Sequence, residues 1–258
     1  MISPQTIDKS IFDAMFSNVR KTSSVFKIQS WKRDAEKVRS IDICKYKAIL
    51  GTIAAYENKH DEAINIFKSI LLLTKDCGYQ AMIYSNIANV LGHAGKYSEA
   101  IDSYWKAFEL SNNPSYFESF FNLCKIYYIN DQRLTNMKSL DDNKKKFYEQ
   151  ELLSLNETRQ EIIENTNLNL DLYRDVLKVA FSVFFTHCNN QVNRFIEVND
   201  SQISTILFNT DLDLETVMLL NDGMNDKFLD LLDSYEYEEL IKYPIIFTAE
   251  NFKSNELG

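Results

Sequence analysis

Hydrophobic residues recur three or four positions apart along most of this chain, which is the spacing of one face of an α-helix. Such stripes predict helices over residues 6–20, 25–40 and 142–165, and a buried helix over the far more apolar residues 168–187. Six glycines and three prolines in 258 residues leave few places where a helix must break. The pattern therefore predicts an all-α fold.

The rear segment, residues 197–258, is predicted to form short elements. Asp222-Gly223 predicts a turn within it, and the apolar, β-branched residues 244–248 predict an extended segment that packs on a neighbour. Three short helical runs are expected there, at residues 213–220, 225–234 and 235–242.

Residues 81–107 follow a more specific pattern, in which small and large residues fall where two antiparallel helices must touch. Ile87, Ala88 and Leu91 lie close together on a first helix, which Gly95 ends. The second helix carries its contact residues at i, i+4 and i+7, namely Ala100, Tyr104 and Ala107. This stretch resembles one unit of the tetratricopeptide repeat family.

Similar patterns flank this unit on both sides. Upstream, Gly51, Ala63 and Phe67 occupy matching offsets, and Ala63 lies 37 residues before Ala100. Downstream, Asn122, Leu123, Cys124 and Tyr127 repeat the first-helix pattern at a spacing of 36 residues. The repeat of the family is about 34 residues long. Asn136 stands where a small residue belongs, so no regular second helix is expected in the third unit.

The resemblance, over about residues 44–131, implies a helical-hairpin solenoid with helical extensions at both ends. It divides the chain into a basic N-terminal cap, repeats, a helical pair and an acidic helical region, at residues 1–43, 44–140, 141–196 and 197–258. The repeats would stack through small and large residues at the helix crossings, which are Gly51, Ala63, Phe67, Ala88, Ala100, Tyr104 and Ala107.

The resemblance also implies a binding groove, because first helices of successive repeats line a concave surface in this family. The groove candidates are Lys45, Thr52, Met82, Ser85, Asn86, Asn89, Glu118, Phe121, Asn122, Lys125 and Tyr128. A subset of the family clamps the C-terminal carboxylates of chaperones, and only Asn86 matches that clamp here. We therefore expect an amphipathic helix as ligand rather than a chaperone tail. One alternative is that the chain's own C-terminal helices fill the groove, in a structural homo-oligomeric scaffold.

Charge is distributed unevenly. Residues 197–258 carry 14 acidic and 3 basic residues, within a chain of net charge −9. An acidic surface is expected at Asp222, Asp226, Asp230, Asp233 and Glu236. It would attract a basic protein, such as a toxin, a nuclease or a DNA-binding protein, and suggests an antitoxin-like or immunity-like role. The alternatives are solvated helix faces and contact between the two ends of the chain, within one molecule or across a homodimer.

The segment from Arg20 to Lys47 is basic, with nine basic and three acidic residues. Phe26, Trp31 and Tyr46 lie among these charges, which suggests nucleic-acid association as a second hypothesis. The overall negative charge argues against nucleic acid as the main partner.

Residues typical of catalysis or metal binding do not cluster in the sequence. The three histidines have no partner at metal-ligand spacing, the four cysteines form no CxxC pair, and no nucleotide-binding glycine loop occurs. We expect a non-enzymatic, cytoplasmic interaction protein without cofactor, metal or membrane contact, its cysteines reduced and packed. An enzyme whose site assembles only in the fold, around His187 and Cys188, is the third hypothesis.

Overall fold

A computed structural model describes residues 4–166, 168–189 and 191–250, with the side chains of residues 8–164, 166, 168–189 and 191–250. Its contacts divide the chain into two compact units, Met1–Phe121 and Asn122–Gly258. The predicted all-α class is confirmed, with one small sheet added in the second unit.

The first unit is built from helices that polar caps help to start. Ser24, Asp42 and Asp76 each accept a hydrogen bond from the backbone N–H three residues later, which satisfies a donor that the helix leaves open. The helices are α1 (Pro4–Phe16), α2 (Val25–Arg39), α3 (Ile43–Tyr56), α4 (His60–Leu71), α5 (Cys77–His93), α6 (Tyr97–Ser111) and α7 (Pro114–Ile126), the last of which crosses the unit boundary.

Two hairpins, α3 with α4 and α5 with α6, have turns of the same geometry 37 residues apart. Asn58 and Gly95 hold the left-handed conformation in these turns, with φ of 61° and 73°. In each turn, the next N–H donates to the carbonyl five residues earlier, over 2.9 and 2.8 Å. Helix α5 packs against α4 and also contacts α3, so the two hairpins lie side by side.

Small residues at the helix crossings let the hairpins pack closely. Ala63, Ala88, Ala100 and Ala107 are fully buried. At Gly51, an added Cβ would lie 2.9 Å from two ring carbons of Phe67, so only glycine leaves room for that ring.

Aromatic contacts extend the core at both ends of the hairpins. Trp31 of α2 meets Tyr56 of α3 edge to face, with ring centroids 5.3 Å apart. Trp105 of α6 packs on Phe120 of α7 at 5.2 Å. The first unit thus has one continuous row of helix-to-helix contacts.

Helix α7 ends with the same turn geometry, but earlier than the sequence predicts. Tyr128 has φ of 50°, and the N–H of Ile129 donates to the carbonyl of Cys124 over 2.9 Å. This geometry matches Cys124 to Leu91, whereas the spacing of 36 residues had matched it to Ala88. The predicted register of the third unit is therefore wrong by three residues. The position of the helix end is visible in the backbone geometry and not in the residue pattern.

The second unit mixes helices with short strands. As expected, no regular α-helix follows α7 directly, and Asn136 comes after a short 3-10 helix. The predicted long polar helix and buried apolar helix are both confirmed as α8 and α9. The elements are the 3-10 helix (Gln132–Thr135), α8 (Asp142–Asn165), α9 (Leu170–His187), β1 (Asn193–Val198), β2 (Ile203–Phe208), α10 (Leu214–Leu231), α11 (Tyr237–Leu240) and β3 (Ile245–Thr248).

The three strands form one sheet in the order β1-β2-β3. Strand β2 pairs antiparallel with β1, and parallel with β3. The extended segment predicted at residues 244–248 is confirmed as β3, but β1 and β2 were missed. Both have only six residues. Strand β1 pairs with β2, and β2 pairs with β3, which lies far away in the sequence, so local periodicity does not report that pairing.

Helix α10 corrects the prediction at Asp222-Gly223. These residues lie inside one continuous helix, so the predicted turn and the separate runs 213–220 and 225–234 are wrong. An added Cβ at Gly223 would lie 3.2 Å from Val183 of α9. Gly223 therefore serves close packing of α10 on α9 and does not end a helix.

Two arginines cap the C-terminal end of α7. Arg174 of α9 donates to the carbonyls of Tyr127 and Tyr128, over 2.7 and 2.8 Å. Arg194 of β1 donates to the carbonyl of Ile126 over 2.5 Å. Cations at this end satisfy open carbonyls and favour the helix dipole, so they fix where α7, α9 and β1 meet.

Candidate protein-binding surfaces

The groove residues on α3 are partly engaged within the protein. Lys45 forms an ion pair with Asp8 of α1 at 2.7 Å, and both side chains are mostly buried. The hydroxyl of Thr52 donates to the carbonyl of Ala48 over 3.0 Å. The positive charge expected at this edge of the groove is therefore neutralised.

Helix α5 supplies the central part of the groove. Met82, Ser85 and Asn86 are half-buried, and Asn89 is exposed. The amide oxygen of Asn89 accepts a hydrogen bond from the hydroxyl of Tyr104 on α6 over 2.5 Å. This row offers amide, hydroxyl and thioether groups without a formal charge.

The groove residues expected on and after α7 differ in their exposure. Glu118 is exposed, as a groove residue should be, but Phe121 and Tyr128 are buried and offer no surface to a ligand. The shift of three residues in α7 explains Phe121, which takes the position of the buried Ala88. Asn122 and Lys125 are exposed in the second unit, where Lys125 pairs with Glu151 of α8.

Tyr104 packs less completely than the alanines around it. Its ring is half-buried, and burial raises the pKa of its hydroxyl to about 12. The hydroxyl therefore stays protonated and can donate to Asn89 at any ordinary pH.

Several charges of the basic segment are compensated by nearby carboxylates. Ion pairs join Lys32 to Glu57 and Lys37 to Asp34, at 2.6 and 2.5 Å. Trp31 is buried against Tyr56, so it presents no face for a base to stack on. These contacts weaken the nucleic-acid hypothesis.

A shallow cavity of about 340 Å³ opens between α2, α3 and α4. Leu50, Ala54 and Ile66 form its apolar part, and the ion pair of Lys32 with Glu57 lies on its edge. Two hydrogen-bonded lysines hold the pKa of the Glu57 carboxyl below its usual value, against the effect of burial. Lys32 and Glu57 therefore neutralise each other at the edge of this cavity, which is typical of a structural crevice.

The acidic residues predicted in the rear are exposed, mostly on α10. Asp222, Asp226 and Asp233 are exposed and have no ion-pair partner among the described residues, and Asp230 pairs with Lys227 at 2.8 Å. Glu236, at the start of α11, is also exposed. Negative charge is therefore concentrated along one helix.

Large apolar residues share the exposed side of α10, although the sequence pattern did not indicate them. Leu214 is 75% exposed, Met218 58% and Leu229 63%, and Leu232 at the helix end is exposed as well. Their spacings of 4, 15 and 18 positions from Leu214 bring all four to one side of a helix. The false turn at Asp222-Gly223 hid this pattern.

The described residues contain no group of three or more histidine, cysteine, aspartate or glutamate side chains that could hold a metal ion. Cys188 is buried, and burial raises the pKa of the Cys124 thiol to about 12. All four cysteines are free, but Cys77 is exposed, which corrects the expectation that all are packed. No described helix has an apolar run long enough to cross a bilayer.

A scan against protein-family models, a search of curated proteins and a search of solved structures each find no match to this chain.

Proposed function

We propose that this chain is a non-enzymatic interaction protein of the cytoplasm that acts as an adaptor, regulator or inhibitor by binding another protein. The observation that carries the proposal is the pair of hairpins with equal turns 37 residues apart. Such stacking of helical hairpins, joined with the sequence pattern, resembles tetratricopeptide repeats. Stacks of this kind bury their small residues and leave one row of first helices as a surface for ligands.

The ligand class follows from the side chains of α3 and α5. The surface carries half-buried Thr52, Met82, Ser85 and Asn86, and Asp8 neutralises its lysine. A flexible thioether and neutral polar groups suit an amphipathic helix, which places apolar side chains in a groove and polar ones at its edges. The acidic helix α10 favours a basic partner. This chain would then act as an inhibitor of the antitoxin or immunity kind. A self-filled groove and a homodimer stay alternatives.

The test is affinity purification of the tagged chain from cells of its native host, followed by mass spectrometry. The variant Ser85→Arg/Asn86→Arg places two long cations in the groove and should abolish recovery of the groove partner. The matched control is Ser98→Arg, at an exposed position of α6. Circular dichroism of each variant checks that the helices are intact. The proposal fails if no protein is enriched over the tag alone, or if the groove variant recovers every partner of the control.

A further inference from the structure

The exposed side of α10 combines apolar and acidic residues in a definite order. Leu214 and Met218 form one apolar pair near the start, and Leu229 and Leu232 form another at the end. About 16 Å separates Met218 from Leu229 along the axis, at 1.5 Å per residue. Asp222 and Asn225 occupy the surface between the pairs.

Carboxylates flank these apolar pairs on one side of the stripe. Asp222 and Asp226 lie one turn apart in a row beside the stripe, Asp233 follows just past the end of the helix, and all three are exposed. The opposite face of α10 carries buried Leu220 and Met224, so the stripe is separate from the core. An apolar stripe beside a charged row marks a docking surface rather than a solvated face.

The charge decides which occupant fits. Anionic lipids and nucleic-acid phosphates would be repelled by the acidic row. A second copy docking through the same face would bring two acidic rows together, because a twofold interface uses the same patch on both copies. A helix with apolar residues on one face and lysine or arginine beside them meets both features at once.

We propose that α10 binds an amphipathic, basic helix of a partner protein. The partner helix would carry two apolar groups about three turns apart, which match the two apolar pairs of α10. Basic residues between and beside these groups would match Asp222. The helix needs about 18 residues, or 27 Å, to span the face. This inference rests on the proposed function only in that the chain binds proteins, and it concerns a surface separate from the groove.

The probe is a synthetic 18-residue helical peptide with leucines at the two apolar pairs and lysines along the adjoining row, labelled for fluorescence anisotropy. We expect micromolar binding to the full chain, weakened about tenfold by Met218→Asp/Leu229→Asp because the apolar contacts are lost. The matched control is Leu72→Asp, since Leu72 is an apolar residue 88% exposed in the first unit. A second variant, Asp222→Asn/Asp226→Asn/Asp233→Asn, should weaken binding and flatten its dependence on salt.

Four outcomes overturn the inference, three with the designed peptide and one with a scrambled control. The peptide fails to bind the unaltered chain, or it binds the Met218→Asp/Leu229→Asp variant as tightly as it binds the control. In the third, sedimentation experiments show that the chain associates with itself through this face and so displaces the peptide. None of these affects recovery of a partner through the groove, so failure here is distinguishable from failure of the proposed function. A peptide of the same composition in scrambled order must bind at least tenfold more weakly, since attraction by charge alone would not depend on order.

Discussion

At the scale of single residues, three glycines have unlike roles that their sequence context does not reveal. Gly51 faces the ring of Phe67, and Gly223 faces Val183. A Cβ added at Gly92 would have no atom of another helix within 4 Å. A glycine in a helix costs about 0.5–1 kcal/mol relative to alanine. The first two offset that cost by allowing close packing, and Gly92 does not.

Gly51→Ala should therefore lower the free energy of unfolding by about 1–3 kcal/mol, because the new methyl overlaps a buried ring. Gly92→Ala, the matched control in α5, should raise it by about 0.5–1 kcal/mol. Urea denaturation followed by circular dichroism measures both. Equal effects of the two substitutions would contradict the role assigned to Gly51.

At the scale of elements, one side chain closes the outer edge of β3. Asn221 of α10 accepts a hydrogen bond from the N–H of Phe247 and donates to its carbonyl, both over 2.9 Å. Strand β2 occupies the other edge of β3. The side-chain amide thus replaces a neighbouring strand at this position and joins α10 to the sheet, which protects an edge prone to aggregation.

Asn221→Ala should destabilise the protein by about 1–3 kcal/mol, since it leaves the peptide groups of Phe247 without their partner. Asn225→Ala removes an exposed amide one turn later on the same helix and should change stability by less than about 0.5 kcal/mol. Thermal unfolding of the two variants compares them directly. The rate of hydrogen exchange at the Phe247 amide should rise only in Asn221→Ala. Unchanged protection there would refute the role of Asn221 in closing the edge of β3.

At the scale of the whole molecule, stability depends on pH through the histidines of the first unit. Burial, with Lys21 and His60 nearby, lowers the pKa of His93 to about 3 from an ordinary 6.5. Burial also lowers the pKa of His60, whose Nε2 is buried without a hydrogen-bond partner. Both imidazoles are therefore neutral in the folded protein near neutral pH. The unfolded chain takes up protons below about pH 6.5, so acid favours unfolding.

The resulting loss of stability is absent above pH 6.5 and grows as pH falls toward 3. Between pH 7 and 5, where carboxylates stay ionised, the free energy of unfolding should fall by up to about 2 kcal/mol. His93→Gln should reduce this slope, because glutamine does not titrate. Urea denaturation at several pH values measures it, and equal slopes for the variant and the unaltered chain would rule out His93 as the cause.

Sequence periodicity alone predicted the helices that bury a continuous stripe. Helices α2, α8 and α9 each follow from a local pattern and lie within a few residues of their predicted bounds. Short-range spacing sufficed because a helix makes its hydrogen bonds within its own segment. The exposed acidic residues of α10 followed equally directly from charge, since carboxylates remain in water unless they are paired.

The tertiary structure alone decided the features that depend on distant partners. Strand β2 pairs with β3 from a distant part of the sequence, and Gly223 lies inside α10, where an added Cβ would contact Val183 of α9 tightly. The same packing turned Phe121 and Tyr128 inward and left Leu214, Met218 and Leu229 outward on α10. The sequence determined where charge lies and where most of the helices form, because both are largely local properties. Burial is shared between segments, so only the fold showed which surfaces remain for a partner.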